Sequence, residues 1–329
     1  MEQLVSVIIP TYNRAGLIGQ TLDSIKAQRY PHWECIVVDD GSSDGTEMLL
    51  KSYTDSDPRF QYFIRPESQT KGANGCRNYG FAKSKGVYVK WFDSDDLMHE
   101  DFLLKSVAVL ESRPELDFCA AFSKIFTQTA SDASEDFNPE KTDDDNALYN
   151  FIIGELFFLT PAPLWRRDFL NGKSIFDETL HNAHETDFNF RMLVAGAKFT
   201  YLTETLFFVR RGHQSIDNLS GGNADSFQSQ FDYFDKVYHY LKSKNTAFDT
   251  PQANALMNYT IFRKATIYSQ IVRLKQRDYA RRDLQILIRQ VRSAEMDWTP
   301  KIQFIAGLWL IWYFQKGYRL IYQKTLDLR

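Results

Sequence analysis

Short apolar runs alternate with amphipathic stretches in the first third of the chain. Val5–Ile9, Trp33–Val38 and Phe60–Ile64 are rich in β-branched and aromatic residues, a pattern that predicts buried strands. The stretches Leu17–Ile25 and Cys76–Lys83 have the spacing of helices. Strands that alternate with helices in this way predict an α/β fold built from βαβ units, with a mostly parallel sheet and flanking helices.

A fourth apolar run, Tyr88–Phe92, ends in three carboxylates within the four residues Asp93-Ser94-Asp95-Asp96. Open α/β sheets bind their ligands at the carboxyl ends of the strands, so this segment is a candidate site. The alternative is an acidic cap on a helix predicted to begin near His99. Earlier in the chain, Asp44 is predicted to cap a helix that carries Met48.

The pattern is less regular after residue 112. Five further segments are predicted there: strands over Asp117–Gln128 and Lys198–Arg210, an acidic loop over 129–146, an apolar segment broken by prolines over Phe157–Trp165, and a helix over Glu185–Ala195. In that helix, Phe188, Met192 and Ala195 are spaced for one face. From about Phe227 the pattern is entirely helical, which predicts an α/β domain over 1–220 and a helical extension over 221–329.

Charge is distributed unevenly along the chain. The net charge of −3 argues against a general nucleic-acid binder. From Pro251 to the end, however, 14 Lys and Arg face 5 Asp and Glu, so residues 1–250 carry a net charge of −12. An acidic body with a basic, aromatic tail predicts an anionic surface as partner, such as a membrane.

Three isolated cysteines, Cys35, Cys76 and Cys119, have no metal-binding spacing and predict reduced thiols in a cytoplasmic protein. The first strand begins almost at once after Met1, and the basic region of a signal peptide is not seen before it.

Polar groups follow three of the predicted strands: Pro10-Thr11-Tyr12-Asn13, Asp39-Asp40 and the acidic segment Asp93–Asp96. The glycine patterns of dinucleotide and P-loop sites do not occur after these strands. A phosphate ligand would therefore need another source of positive charge. Carboxylates suit Mg²⁺ or Mn²⁺, and such an ion can bridge two phosphates.

Four segments together resemble family 2 glycosyltransferases: residues 5–14, 37–46, 75–80 and 92–96, in the family's order and at its usual spacing. The resemblance covers about residues 4 to 215. It implies the GT-A fold and inverting transfer of a sugar from a nucleotide-diphosphate donor, most simply a UDP-sugar. The implied metal cofactor is Mn²⁺ or Mg²⁺.

The resemblance also implies roles for single residues. The expected nucleotide-sugar contacts are Pro10, Tyr12, Asn13, Asp40, Arg77, Asp93, Ser94 and Asp96. Among these, Tyr12 would stack on the base, Asp40 would accept a hydrogen bond from a uracil-type ring, and Arg77 would lie near the diphosphate. Asp95 would bind the metal, helped by Asp93 and by His213.

The catalytic base is expected in the predicted helix Glu185–Ala195. Counting back from Arg191 by the family's usual spacing gives Glu185, with His184 where the family often has Glu. Asp187 is the rival base. Residues two apart do not share a helix face, so at most one of the two carboxylates should point into the site.

The run Ile302–Phe314 is apolar and aromatic but too short to span a bilayer. Flanked by Lys301 and Lys316, it predicts an in-plane interfacial helix, so that residues 298–329 hold the protein on the inner face of the cytoplasmic membrane. The competing interpretation is a core helix or a homodimer helix.

These patterns predict a metal-dependent inverting glycosyltransferase that acts on a glycan or lipid-linked acceptor in cell-surface polysaccharide synthesis. Two alternatives remain open. One is transfer to polyprenyl phosphate, which the basic aromatic tail would also serve. The other is a sugar-nucleotide binding module without turnover, in which the base position would be inactive.

Overall fold

The computed structural model describes residues 3–133, 135–140, 142, 146–212, 223–243 and 248–321. The described residues divide between two compact units. The first lies within Met1–Thr179 and His184–His213, and the second lies within Leu180–Ala183 and Gln214–Arg329.

The first unit is organised around one sheet, which has nine strands in the described residues. The strands are β1 Val5–Thr11, β2 Trp33–Asp39, β3 Phe60–Ile64, β4 Tyr88–Trp91, β5 Leu97–Met98, β6 Phe118–Phe126, β7 Glu135–Asp136, β8 Pro163–Arg166 and β9 Phe199–Arg210. Their order is β3-β2-β1-β4-β8-β6-β9-β5, and β7 pairs with β6.

The four strands β1 to β4 run parallel, as the sequence predicts. Val5 of β1 is in register with Trp33 of β2 and with Tyr88 of β4, so the carboxyl ends of these strands lie at one edge. Every residue of β1, β2 and β4 is buried, because helices cover both faces of a parallel sheet.

Seven α-helices accompany the sheet in the described part of this unit. They are α1 Ile18–Lys26, α2 Thr46–Ser56, α3 Ala73–Lys83, α4 Phe102–Ser112, α5 Ala147–Ile153, α6 Arg167–Leu170 and α7 His184–Val194. Helix α1, which corresponds to the stretch predicted over Leu17–Ile25, buries Ile18, Thr21, Leu22 and Ile25.

The half of the sheet beyond β4 is mixed. Strand β8 is antiparallel to both β4 and β6, whereas β6 and β9 are parallel and β5 is antiparallel to β9. Strand β8 begins at Pro163, which has no N–H to donate and suits the first position of a strand. The predicted α/β class is confirmed, with this mixed half as an addition to it.

The predicted helix that carries Met48 is present as α2, which buries Thr46 and Leu50 and leaves Met48 exposed. Two other local predictions need correction. Ala195 lies after the end of α7 and is exposed. Helix α4 begins at Phe102 and not near His99, so Asp96 is too far from its first turn to cap it.

The acidic segment 129–146 was expected to be a loop. In its described residues, Ala130–Asp132 forms a short 3₁₀ helix and Glu135–Asp136 pairs with β6 as β7. The carboxylate of Asp132 holds the turn by accepting the backbone N–H groups of Gln128 and Thr129, at 3.0 and 3.1 Å.

All regular secondary structure in the described part of the second unit is helical. Its helices are α8 Ala224–Lys242, α9 Thr250–Arg273, α10 Arg277–Ser293, α11 Trp298–Phe314 and α12 Tyr318–Ile321. Helix α9 contacts α8, α10 and α11. Among the described residues, no helix combines the length and the apolar composition that crossing a bilayer requires.

Candidate active site

The parallel register brings the predicted site residues to one edge of the sheet. Pro10 lies within β1, opposite Val38, and Tyr12 and Asn13 follow that strand directly. Asp40 follows β2, and the acidic turn, residues Asp93–Asp96, follows β4. Since β1 lies between β2 and β4, the three groups share one edge.

Asp40 is held by protein partners at this edge. Its carboxylate pairs with the Arg65 guanidinium and accepts the backbone N–H of Gly72 at 3.0 Å. Gly72 has a φ of +119°, a conformation that favours glycine. Tyr12 remains 46% exposed, with the Lys71 ammonium 5.6 Å from its ring centre.

Asn13 connects the loops that follow β1 and β2. Its side-chain oxygen accepts the N–H of Ser43, and its own N–H donates to the hydroxyl of Ser42, both at 2.8 Å. Its φ of +49° is in the left-handed region, which Asn tolerates better than most residues. The described contacts of Asn13 therefore shape the loop.

Two carboxylates of the acidic turn are partly accessible. The side chain of Asp93 is 32% exposed and accepts a hydrogen bond from Arg77 at 2.8 Å. The side chain of Asp95 is 17% exposed and lies 3.9 Å from the Arg14 guanidinium. Ser94, between them, is buried.

Asp96, in contrast, points into the protein. Its carboxylate accepts the backbone N–H of Arg210 at 2.9 Å, and its carbonyl accepts the hydroxyl of Thr21. Burial and the charges of Asp95 and Asp93 raise the pKa of Asp96 well above its usual range. Asp96 therefore supports the turn from behind, and its buried carboxylate faces Arg210 in β9.

Arg210 is a residue of this site that the sequence reasoning did not single out. It is buried, and its guanidinium donates to the carbonyl of Asp95 at 2.8 Å and to the side chain of Gln20 at 2.7 Å. The guanidinium also stacks over the Phe126 ring at 4.4 Å. The sequence signal was the Arg210-Arg211 pair at the end of a predicted strand.

Arg77 lies under the accessible carboxylates. It is buried in α3, donates to Asp93 and Asn74, and packs against the Phe176 ring at 5.3 Å. Its Nε–H has no acceptor among the described residues.

Two glycines allow α3 to lie close enough to the sheet for this arrangement. A Cβ at Gly80 would come within 2.5 Å of the Ile8 side chain, and one at Gly75 within 2.0 Å of the Thr70 carbonyl oxygen. Only glycine fits such close approaches. The glycines of the segment 75–80 therefore have a packing reason.

Glu185 lies in the first turn of α7 and is held through one oxygen. Its Oε2 accepts the backbone N–H of Thr160 at 2.9 Å and the Thr160 hydroxyl at 3.0 Å. Burial raises the pKa of Glu185, and the charge of Asp93 adds to the rise, whereas Thr160 and Arg77 oppose it. Asp93 and Glu185 are thus close enough to interact electrostatically.

Asp187 lies in a different environment. It is fully buried and pairs with Arg191 one turn later, at 2.8 Å. Arg191 also donates to the carbonyls of Ser174 and Ile175, so the pair ties α7 to that segment. As the sequence predicts for residues two apart, the two carboxylates have separate partners.

His184 occupies the position where the family often has Glu. Loss of solvent contact and the nearby charge of Arg77 lower the pKa of His184 to about 3, so its imidazole is neutral at physiological pH. Its ring lies edge-on to that of Phe176. His213, the expected third metal ligand, lies outside the described residues.

The acidic turn offers two partly accessible carboxylates, Asp93 and Asp95, to a divalent cation. No group of three His, Cys, Asp or Glu side chains is arranged to hold a metal within the described ranges. Mg²⁺ and similar ions are, however, often held by one or two carboxylates together with substrate phosphates. Asp93 and Asp95, partly accessible and beside the electrostatically strained Asp96, fit that pattern.

Solved structures define the class of protein to which this fold belongs. S. aureus TarS, residues 1–349 in complex with UDP-GlcNAc, has a TM-score of 0.70 at 18% identity, over 96% of this chain and 90% of that one. The mannosyltransferase PcManGT from Pyrobaculum calidifontis, in complex with GDP-Man and Mn²⁺, has a TM-score of 0.58 at 17% identity, over 98% of this chain and 86% of that one. The fold is that of the GT-A glycosyltransferases.

The sequence then gives the family. The profile of glycosyl transferase family 2 matches residues 6–170, just over half of the 329 residues, and the chain belongs to that family. The matched region contains the acidic turn and Arg77. It ends before Glu185 and Asp187.

Two relatives illustrate the range of the similarity. A Bacillus subtilis protein assigned to teichuronic acid biosynthesis, TuaG, is 37% identical over 46% of this chain and 60% of its own length. The GalNAc(5)-diNAcBac-PP-undecaprenol beta-1,3-glucosyltransferase of Campylobacter jejuni is 28% identical over 44% of this chain and 45% of its own length. The chain thus matches about half the length of these relatives.

Proposed function

We propose that the chain is an inverting glycosyltransferase that moves a sugar from a nucleotide-diphosphate donor to a hydroxyl group of a glycan or lipid-linked acceptor. One observation carries the proposal: the Phe176 ring contacts both Arg77, which donates to Asp93 of the acidic turn, and His184, the neighbour of Glu185 in α7. A donor-binding turn and a candidate base therefore belong to one site.

The proposed donor is a UDP-sugar, and the proposed process is cell-surface polysaccharide synthesis. Complexes of TarS with UDP-GlcNAc and with UDP support a uridine nucleotide in this fold. The names of the Bacillus and Campylobacter relatives support a cell-surface glycan and a lipid-linked acceptor. In this chain, Pro10, Tyr12 and Asp40 would line the base pocket.

Arg77 would contact the donor diphosphate. Its Nε–H is buried without an acceptor in the described part of the chain. A buried donor without a partner costs about 1–3 kcal/mol, so a ligand oxygen that accepts it gains affinity. Arg77 also fixes Asp93, which would place that carboxylate against the ribose or the metal.

A divalent cation, Mn²⁺ or Mg²⁺, would be held by Asp95 and Asp93. When bound, such an ion neutralises the charge that develops on the departing nucleotide diphosphate. Asp96 would contact a sugar hydroxyl only if its bond to Arg210 opened, so we assign Asp96 to supporting the turn.

Glu185 would act as the base. Its carboxylate accepts the proton of the acceptor hydroxyl while that oxygen bonds to the anomeric carbon, from the side opposite the diphosphate. The bond between the anomeric carbon and the diphosphate oxygen breaks, which inverts the centre. Because only the ionised carboxylate accepts a proton, turnover should fall as the pH drops through the raised pKa of Glu185.

The test compares Glu185→Gln with the wild type. The measurement is nucleotide release from UDP-glucose, UDP-galactose, UDP-GlcNAc and UDP-GalNAc in the presence of Mn²⁺. We expect Glu185→Gln to lower turnover about 10²–10⁴-fold, the usual contribution of a positioned base. Glu204→Gln, an exposed carboxylate of β9 that pairs with Lys105, is the matched control and should be unaffected.

The variant Asp187→Asn tests whether Asp187 is the base or a residue that stabilises the structure. Removing its charge leaves Arg191 without its buried partner, so the melting temperature should fall together with any loss of turnover. A Glu185→Gln variant within about tenfold of wild-type turnover would contradict the proposal that Glu185 is the base.

We also propose that α11 holds the protein against the inner face of the cytoplasmic membrane. Its buried face packs Phe304, Leu308 and Ile311. Its other face is exposed and apolar, with Trp309 41% exposed and Tyr313 66% exposed. Aromatic residues of this kind sit well at a membrane interface.

Charge favours lipid over a second copy as the partner of this face. Lys301 precedes the exposed face, and Lys316 and Arg319 follow it. Residues 251–329, which contain this helix, have 14 Lys and Arg against 5 Asp and Glu. A basic surface is attracted to anionic lipid, whereas two copies of it repel each other. A homodimer through α11 is the outcome that would replace this proposal.

A further inference from the structure

The segment that binds Glu185 is a turn fixed by contacts from three sides. Residues Leu159–Ala162 form this turn, closed by a hydrogen bond from the Ala162 N–H to the Leu159 carbonyl at 2.9 Å. We call it the Thr160 turn. Thr160 is buried, and both of its donors, the backbone N–H and the hydroxyl, go to the same oxygen of Glu185.

Helix α7 holds the same segment a second time. Asn189, four residues after Glu185 and on the same helix face, donates its side-chain N–H to the Phe158 carbonyl at 2.9 Å. Tyr201 of β9 donates its hydroxyl to the neighbouring Phe157 carbonyl at 2.6 Å. The segment therefore has little freedom to move relative to the carboxylate.

Lys90 anchors the turn from below. It is a fully buried residue of β4, and its side-chain nitrogen donates to the Pro161 carbonyl. The nitrogen lies 3.5 Å from the centre of the Phe102 ring, and burial lowers the pKa of Lys90 well below its ordinary value. Burying a lysine costs free energy unless its nitrogen has a hydrogen-bond partner, and the Pro161 carbonyl is that partner. We therefore assign to Lys90, three residues before Asp93, the role of holding the Thr160 turn.

We propose that Thr160 is the positioning residue for Glu185: its two hydrogen bonds fix Oε2 and leave Oε1 to receive the proton of the acceptor hydroxyl, while Lys90 holds the turn in place. This inference rests on the proposed function, in which Glu185 is the base. No donor from the described residues reaches Oε1, which is consistent with this division between the two oxygens.

The hydrogen bonds from Thr160 also affect the pKa of Glu185. The pKa of Glu185 is raised by burial and by Asp93, at the end of β4, and is lowered by Thr160 and by Arg77 in α3. Removing the Thr160 hydroxyl takes away one of the groups that favour the ionised form. The pKa of Glu185 should then rise further.

The test compares Thr160→Val, which removes the hydroxyl and keeps the shape, with Thr160→Ser, which keeps the hydroxyl. Glutamate labelled with ¹³C in the side-chain carboxyl is titrated by NMR, and the Glu185 signal is assigned by its loss in Glu185→Gln. We expect Thr160→Val to raise the pKa of Glu185 by about one pH unit and Thr160→Ser to leave it near the wild-type value.

Turnover of the UDP-sugars named above is measured on the same variants. Thr160→Val should lower kcat about tenfold, move its acidic limb to higher pH and leave the donor KM within about twofold. Lys90→Met should move both readouts in the same direction by a smaller amount. Thr160→Ser should restore the wild-type profile.

Three outcomes separate the inference from the proposed function. An inactive Glu185→Gln together with an unchanged titration or an unchanged kcat in Thr160→Val overturns the role of Thr160 alone. A fully active Glu185→Gln overturns the base assignment, whatever Thr160→Val does. If no nucleotide sugar is turned over, the proposed function fails, and the titration still decides whether Thr160 sets the ionisation of Glu185.

Discussion

At the scale of residues, Asp96 and Arg210 explain how two neighbouring carboxylates stay accessible. Asp96 takes the backbone N–H of Arg210, and the guanidinium of Arg210 holds the Asp95 carbonyl and Gln20. The turn is therefore braced from inside, which leaves the carboxylates of Asp93 and Asp95 on its accessible side. Asp96 and Arg210 are 114 residues apart in sequence.

Replacing Arg210 with Met should destabilise the protein. The change removes the donor of the partly buried Asp95 carbonyl and the packing of the buried Arg210 guanidinium on the Phe126 ring, and a buried group left without its partner costs about 1–3 kcal/mol. We expect the free energy of unfolding in urea to fall by about 3 kcal/mol.

Arg113→Met is the control for Arg210. Arg113 forms an exposed ion pair with Glu115, so its loss should change the free energy of unfolding by less than about 0.5 kcal/mol. Equal, small effects of the two substitutions would show that Arg210 does not brace the turn.

Asp283, in α10, should make stability depend on pH. Burial raises its pKa to about 7, although Arg282 and Gln228 act in the other direction. In the unfolded chain Asp283 loses its proton near pH 4, whereas in the folded protein it keeps the proton up to about pH 7. Because the folded state binds the proton more tightly, the free energy of unfolding falls as the pH rises between these two values. Asp283→Asn removes the titration.

The expected result for Asp283→Asn is a gain over the wild type that grows with pH. The difference in unfolding free energy should increase by about 2 kcal/mol between pH 5 and pH 8, measured by urea unfolding. Asp278→Asn, an exposed carboxylate in the same helix, is the control and should show no such trend. A pH-independent difference for Asp283→Asn would contradict the raised pKa.

The role of a site residue could be predicted from the sequence where it depends on neighbours along the chain, and not where it depends on contacts between distant residues. The spacing of Glu185 and Asp187 on a helix already implied separate environments, and the structure gives them Thr160 and Arg191 as partners. The role of Arg210 was not predicted, since it depends on a contact between distant residues. Likewise, nothing in the apolar segment 157–165 marked Thr160 as the partner of a carboxylate.

At the scale of elements, the sequence pattern located β1 to β4 and their helices because each of these strands is a mainly apolar run and the stretches between them have helical spacing. It did not find β8, whose four residues begin at a proline, or the two-residue strands β5 and β7. Such short strands form only because neighbouring strands offer an edge to pair with. The mixed half of the sheet could therefore not be predicted from local sequence patterns.

The exposed aromatic residues of helix α11 should bind a lipid surface. Trp309 and Tyr313 stack on each other at 5.8 Å on the exposed face. Replacing both with Ser should weaken binding to phosphatidylglycerol vesicles at least about tenfold, because burying one large apolar side chain is worth about 1.5–3 kcal/mol. The measurement is co-sedimentation with vesicles.

Two controls belong with the α11 experiment. The melting temperature should change little, because both rings are exposed, and Gln303→Ala on the same face should bind vesicles as the wild type does. Unchanged vesicle binding, together with conversion of a wild-type dimer to a monomer in sedimentation velocity, would contradict the membrane role and favour a homodimer.

At the scale of the whole molecule, the chain combines a family 2 α/β unit with a basic helical unit. The predicted α/β class and the helical character of the later part are confirmed. The proposed boundary, with a catalytic domain over 1–220 and an extension over 221–329, stays a prediction. The sugar and the acceptor were not predictable, because loops that carry no local pattern select them.

The central claim is that the acidic turn binds a nucleotide diphosphate together with a divalent cation. The most direct measurement is a thermal-shift series with UDP, GDP, CMP and dTDP, each with and without Mn²⁺, on the wild type, Asp95→Ala and the control Glu115→Ala. We expect UDP to stabilise by about 2.7 kcal/mol at a hundredfold excess over Kd, only with Mn²⁺ and only when Asp95 is present. No shift with any nucleotide, or a shift that Asp95→Ala leaves intact, would contradict the claim.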